Sequence, residues 1–451
     1  MFFGSRASAR PPVDEPAHEP IAVRAVSFRT MSRFTLAVSL LLLCACAPSP
    51  DEAQTVRFWV MGREGEVVAQ LLPEFERRNP EVRVRLQQIP WTAAHEKLLT
   101  AYAGDALPDL CQLGNTWVPE FAALHALEQL TLRVARSQVV AANDYFPGIW
   151  DTNVVDGHLY GIPWYVDTRV LFYRRDLFER AGFAAPPRSW TQWRDALAAI
   201  KDKSAADDFA MLLPLNEFEP LLALGLQQPQ PLLDDRSSRG AFASPDFRNA
   251  LAFYAEMFRN GWAPSVGSAQ ISNVWTEFGR GRFAAYISGP WNIEELKRRL
   301  PPEQQGSWMT APLPGPDGPG ASTAGGSSLV IFRSSHHQQA AWKLIEYLSE
   351  PAVQVRFFEL SGNLPPRRAT WSDPLLANDV HARAFRDQLE RVRAAPKVPE
   401  WERIANEMQL AAERVVRKNE DVKLATEQLD ARVDAILEKR RWMLEHGATK
   451  Q

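Results

Sequence analysis

At 451 residues the chain is longer than one hydrophobic core usually spans, so two domains are expected. With 51 basic and 54 acidic residues and a net charge of −3, it has neither the basic excess that points to nucleic acid nor the acidic tract of a disordered tail. Hydrophobic residues at 45% and charged ones at 23% are ordinary for a globular protein, but 15 tryptophans are many, and tryptophan is a residue of ligand surfaces as well as cores.

The first signal along the chain is MSRFTLAVSLLLLCAC, residues 31–46. Arg33 precedes an apolar stretch from Phe34 to Leu43, too short for the about 20 residues of a membrane span, so a secretory signal peptide is expected. Its end, Leu43-Cys44-Ala45-Cys46, resembles a bacterial lipobox, with Cys46 the residue to be cleaved at and acylated; Cys44 stands where a smaller Ser, Ala or Thr is usual. Residues 1–30 read as a non-native or disordered extension, with translation expected to begin at Met31. Cleavage at Cys46 would leave only Cys111, and a lone cysteine cannot staple an exported protein, so a packed core must hold the fold.

From residue 55 onward strand and helix signals alternate. Val56 to Val60 reads as a buried strand, and Val67, Leu71, Leu72 and Phe75 form the apolar stripe of a helix. VRVRLQQI, residues 82–89, alternates at period two, and Pro90-Trp91-Thr92 opens a helix with Thr92 as its expected N-cap, ending near Gly104. PDLCQLG, 108–114, is a short strand placing Cys111 in an apolar interior, and NTWVPEFAALHAL returns to helix. A second set follows: Val170–Tyr173 as strand, Arg175–Ala181 as a helix closed by Gly182, a helix capped by Ser189, a helix over 246–260, and Arg282–Ile287 as strand. LPGPDGPGAST, 313–323, is a glycine and proline loop, after which SSLVIFR is a strand and two helices run to Gly362. Val422, Ala425, Leu429, Val433, Ile436 and Leu437 keep helical spacing to Trp442. The alternation predicts an α/β fold with a largely parallel sheet.

Catalytic signatures are missing: there is no phosphate-binding GxxxxGK[ST], no GxGxxG after a strand, no HExxH, GxSxG or CxxC pair. The adjacent His336 and His337 point to different helix faces, so no metal site and no cofactor are expected. What recurs instead is an aromatic residue beside polar ones at a strand end. Trp59 lies near Arg63 and Glu64, Trp91 follows Pro90, Asn115 and Trp117 follow 108–114, Trp164 and Tyr165 precede Asp167, and Trp291 follows Gly289-Pro290. Ligands of open α/β sheets sit outside such strand ends. A sugar ring presents apolar C–H faces that indoles can cover and an equator of hydroxyls that carboxylates and amides can bond.

FWVMG, FERRNPEVRVRLQQIPW, AGDALPDLCQLGNTWVPEF, GIPWYVDTRVLFYRRDLFERAG, GRGRFAAYISGPW, AGGSSLVI and SGNLPPRRA, in that order over about residues 55–440, resemble the family 1 extracellular solute-binding proteins of ABC importers. The resemblance implies an α/β, two-lobe periplasmic-binding-protein fold of type II, with lobes joined by crossing hinge segments. The first lobe would hold 47–167 plus 326–366, and the second 168–325 plus 367–451. It implies a carbohydrate ligand, a di- or oligosaccharide such as an α-glucoside, held in the cleft by Trp59, Arg63, Glu64, Asn115, Trp117, Tyr165, Asp167 and Trp291. To these the strand-end pattern adds Trp91 and Trp164, the latter equally a candidate for the core. Gly325 and Gly326 would be backbone donors at the return crossing, with Arg367 near a third. It further implies a monomer in the periplasm or cell envelope, tied to the membrane only through a lipid on Cys46 and delivering its sugar to a transmembrane permease. The competing expectation is an envelope carbohydrate-active enzyme using Glu64 and Asp167.

Overall fold

The computed structural model describes residues 54–271 and 273–447. The expectations placed on residues 1–46, the extension, the signal segment and Cys46, lie outside them. No helix among the described residues is long and apolar enough to cross a membrane.

Strand β1 (Gln54–Met61) forms because VRFWVM offers an apolar side chain at nearly every position, as a strand covered on both faces requires. It pairs in parallel with β2 (Val82–Ile89) and with β3 (Leu110–Gly114). A small hairpin of β4 (Val154–Val155) and β5 (His158–Leu159) leads into β6 (Ile162–Val166). Then come β7 (Val170–Arg174), β8 (Phe209–Leu212), β9 (Phe283–Ser288) and β10 (Trp308–Ala311). Last are β11 (Ser322–Thr323), β12 (Gly326–Ile331) and β13 (Val392–Arg393).

Two large sheets result, of order β2-β1-β3-β12-β6 and β10-β7-β9-β8. This is the two-lobe, type II fold. The sheets are mixed rather than largely parallel: β12 runs antiparallel to both β3 and β6, and β7 antiparallel to β9 and β10. The reason lies in the chain path. It leaves the first sheet after β6 and re-enters only at β12, so the returning strand comes in from the far side, an arrangement that no local periodicity encodes.

The first sheet is covered on both faces. Alternation along β1 sends Val56, Phe58 and Val60 into one core and Trp59 and Met61 into the other. The helix Glu64–Arg78 buries Val67, Val68, Leu71, Leu72 and Phe75 against the first of these. The helix Trp91–Ala103 covers the second, and its N-cap is Pro90 rather than Thr92, with no side-chain cap. In the second sheet's lobe the Ser189 hydroxyl accepts from the Gln192 N–H at 3.2 Å, capping the helix Trp190–Asp202 as expected. The helix Trp401–Arg417, which has no strand beside it to announce it, buries Trp401, Ile404 and Met408 in that lobe's core. The carboxyl-terminal helical run breaks at Leu437 into Val422–Ile436 and Glu438–Glu445.

The segments between the sheets lie side by side. The Asp167 N–H donates to Gly325 O at 3.0 Å, the Ser322 hydroxyl donates to Arg169 O at 2.7 Å, and the Val166 N–H donates to Leu364 O at 2.9 Å. β11 pairs in parallel with β13 beside them.

Candidate functional site

Segments at the strand ends of both sheets line one cavity of about 550 Å³, inside the range of roughly 300–1,000 Å³ that small-molecule clefts occupy. Its first wall is the turn after β1. Gly62 sits there at φ +58, and a Cβ on it would come within 2.9 Å of the Trp91 ring, so glycine alone lets the turn close against the indole. The turn delivers Arg63 and Glu64 to the cavity, Glu64 in the first turn of its helix, where the backbone dipole favours a carboxylate. Asn363 donates its side-chain amide to Glu64 Oε1 at 2.9 Å and joins the same wall.

The second wall follows β3. Trp117 meets Trp91 edge-on, with 5.8 Å between ring centroids, and stands 5.0 Å from His95. The His95 Nε2 to Glu120 Oε2 hydrogen bond of 2.5 Å raises the imidazole pKa. Asn115 is buried and spends its amide donor on Ala324 O at 2.6 Å, so it staples the wall to the return crossing. Thr116 donates its hydroxyl to Glu402 Oε1 at 2.8 Å, reaching the helix Trp401–Arg417 that packs in the second lobe's core. Burial raises the Glu402 carboxyl, against the opposing pull of that hydroxyl and His95.

The floor is the end of β6 and the crossing beyond it. The Tyr165 hydroxyl accepts from Gln112 Nε2 at 2.9 Å and from the Ser327 hydroxyl at 3.1 Å, and burial pushes the phenol well above its ordinary pKa. Asp167 keeps 32% of its side-chain surface open to the cavity and forms an ion pair at 3.2 Å with Arg169. Its carboxyl is pushed up to about 6 by burial, with Arg169 opposing and Glu219, Glu217 and Glu64 adding to the rise. Arg169 also bonds Glu219 at 2.8 Å. Burial works against its charge, but Asp167 and Glu219 outweigh that and hold it firmly protonated. Gly325 and Gly326 pass so close to the first crossing that a Cβ on either would collide with the carbonyl of Asp167 or of Tyr165. Beside their expected part as backbone donors, they let two backbones touch.

Trp291 faces this floor from the second lobe, 38% exposed. The Arg169 guanidinium lies 4.8 Å from the centre of its ring, covering one face of the indole.

Ten of the thirteen residues singled out from the sequence line this cavity, and three do not. Trp59 packs in the core with Met61 and Cys111 and carries the Lys97 ammonium over its ring at 4.9 Å. Trp164 is 2% exposed and packs in the core, 4.6 Å from the Phe357 ring. Arg367 is buried in a structural ion pair with Asp144 at 2.6 Å and donates to Ser349 O. Arg169, Phe218, Glu219, Asn363 and Glu402 line the cavity without having been singled out. Arg169 stands two residues beyond Asp167 and could have been found by proximity. Phe218, Glu219 and Glu402 come from or beside helix starts, and Asn363 from a crossing, where no strand-end rule applies.

The ensemble offers three indoles, four carboxylates (Glu64, Asp167, Glu219 and Glu402) and two guanidiniums around one opening. Flat apolar faces beside acceptors suit a ring bearing hydroxyls. Among the described residues no group of three or more His, Cys, Asp or Glu side chains could hold a metal ion.

Residues 61–355 match the family described as bacterial extracellular solute-binding protein. The sugar-binding protein MalE of Xanthomonas citri is 59% identical, with a TM-score of 0.85, covering 87% of this chain and 99% of that one. An ABC transporter solute-binding protein of Thermotoga lettingae, bound with α-D-tagatose, is 27% identical with a TM-score of 0.73, covering 85% of this chain and all (100%) of that one. The galactooligosaccharide-binding protein of Bacillus subtilis is 22% identical over 416 residues, 87% of this chain and 93% of that one.

Proposed function

Because the chain belongs to the bacterial extracellular solute-binding proteins, we propose that it captures a carbohydrate in the cavity between its lobes and delivers it to the permease of an ABC importer. The ligand is a di- or oligosaccharide, with α-glucosides such as maltose or trehalose the first to test. One observation carries this reading: Trp91 and Trp117 from one lobe and Trp291 from the other share a single cavity with Glu64, Asp167, Glu219 and Glu402. Likeness to a sugar-binding protein at 59% identity supports it.

In this reading the lobes are 47–167 with 326–366 and 168–325 with 367–451, and the crossings at 167–169 and 322–325 are the hinge. The sugar touches both walls only when the lobes close, so binding shifts the population toward the closed form, the type of hinge motion for which periplasmic binding proteins are a standard example. Arg63, Glu64, Trp91, Trp117, Tyr165, Asp167 and Trp291 make the contacts. Asn115, Gly325 and Gly326 shape the wall. The protein acts as a monomer in the periplasm or cell envelope, held to the membrane by a lipid on Cys46, and captures its ligand without chemical change.

A calorimetric panel of mono-, di- and oligosaccharides tests this, with product analysis after hours of incubation. Saturable one-to-one binding without turnover is expected. Release of shorter sugars would move Glu64 and Asp167 to the enzyme reading, and no heat with any saccharide would end the proposal.

A further inference from the structure

A second chamber, of about 320 Å³, shares an indole with the first: Trp291 lines both cavities. Its walls belong to the second sheet and its loops alone, from Leu212 of β8, through Tyr286 and Ser288 of β9, to Glu217 and Trp275. It is therefore a feature of one lobe, complete whatever the other lobe does.

The chamber is built around Asn292, which is 2% exposed. Its Oδ1 accepts from the Trp275 indole N–H at 2.8 Å and from the Tyr286 hydroxyl at 3.3 Å. Its Nδ2 donates to the Ser288 hydroxyl at 2.7 Å and to Gly289 O at 3.2 Å. One buried amide thus fixes two aromatic rings and the turn from which Trp291 springs. The Arg299 guanidinium lies 4.5 Å from the centre of the Trp275 ring, as Arg169 lies over Trp291, so each indole is steadied from one face by a cation. Glu217 adds the polar element. Its Oε1 accepts from the Ser268 hydroxyl at 2.9 Å, and the carboxylate lines the chamber.

Two oriented indoles, a tyrosine and a carboxylate repeat in small the chemistry of the main cavity, next door to it and across one shared ring. We propose that the cleft continues past Trp291 into this chamber, which takes one further sugar unit, so that the preferred ligand is an oligosaccharide of at least three units. The inference rests on the reading of the main cavity as a sugar site and names the length of its ligand. Because the chamber lies within one lobe, the extra unit adds affinity without adding to closure.

The test uses linear α-glucosides of two, three and four units, titrated calorimetrically into the native protein, Trp275→Ala and Glu217→Gln, with small-angle scattering as the readout of closure. In the native protein the third unit should improve affinity about tenfold, the gain expected of one well-packed ring contact with a hydrogen bond. Trp275→Ala should abolish that gain and leave the disaccharide affinity within about twofold, while Glu217→Gln, which keeps the shape of the side chain, should reduce the gain. Closure should be the same with two units as with three. Equal affinity for two and three units in the native protein, or a gain that survives both substitutions, overturns the inference and leaves the sugar site standing. Failure of every sugar to bind overturns both.

Discussion

At the scale of single residues, Asp167 is the group whose chemistry is most altered by its place. Its ordinary pKa is 3.8, and burial, opposed by Arg169, pushes it up to about 6. A carboxyl raised in the folded state contributes to stability while protonated, fully below its ordinary value, and that contribution is lost as pH rises through about 6. Sugar capture runs the other way, since the ionised carboxylate is the stronger acceptor. Affinity should therefore fall on going from about pH 7.5 to about pH 5, with no accompanying loss of stability from this group. Asp167→Asn should bind more weakly at the higher pH by about 1–2 kcal/mol and lose most of the pH dependence. Titration calorimetry of both proteins at the two pH values checks this; a flat native profile contradicts it. The tryptophans divide by the same residue-level logic. Trp164→Ala removes a ring packed on Phe357 and should cost about 3–5 kcal/mol in denaturant unfolding. Trp291→Ala, at the cavity, should leave stability near native and weaken sugar binding by at least about 1 kcal/mol. The sequence signal for the two is identical, an aromatic beside polar residues. Only the burial of each ring in the finished fold separates them, so the pattern leaves Trp164 open to either reading and cannot by itself sort Trp59 from Trp91 and Trp291.

At the scale of elements, what could be read was what is local. Val67, Leu71, Leu72 and Phe75 announce their helix by spacing, Ser189 caps where a cap is expected, and Gly182 and Gly362 end their helices in the left-handed conformation that glycine adopts freely. The antiparallel course of β12 and the placement of Glu219 and Glu402 at the cavity depend on contacts far apart in the chain, such as Thr116 with Glu402, and no window of sequence contains them. The crossings also depend on such a contact. Gly325 has no room for a Cβ beside the Asp167 carbonyl, and Gly326 combines the same crowding with φ +137. Gly325→Ala should therefore force the two crossings apart, at about 1–3 kcal/mol in stability, and weaken sugar binding because Asp167 moves with its carbonyl. Gly318, where an added Cβ would meet nothing within 4 Å, supplies the control: Gly318→Ala should change neither quantity. Denaturation and calorimetry on both variants read the difference, and an unaffected Gly325→Ala protein would mean that the crossing tolerates a spacer and is not the tight hinge described.

At the scale of the whole molecule, two sheets are joined by paired crossings, by the side-chain bonds of Thr116 to Glu402 and Asn115 to Ala324, and by an apolar cluster. In that cluster Phe146, Ile149 and Val166 meet Phe172, Tyr286 and Trp308. The crossings carry both the joint and the cavity floor. That arrangement is the physical basis of the proposed function, since a ligand gripping both walls acts on the segments that join them. A crystal structure of the protein with a bound α-glucoside, disaccharide or longer, tests this most directly. The account predicts a sugar ring against Trp91 or Trp291, hydroxyls within hydrogen-bond distance of Glu64 and Asp167, and contacts to both lobes at once. A saccharide seated elsewhere, or held by one lobe with Asp167 and the three indoles untouched, would contradict it.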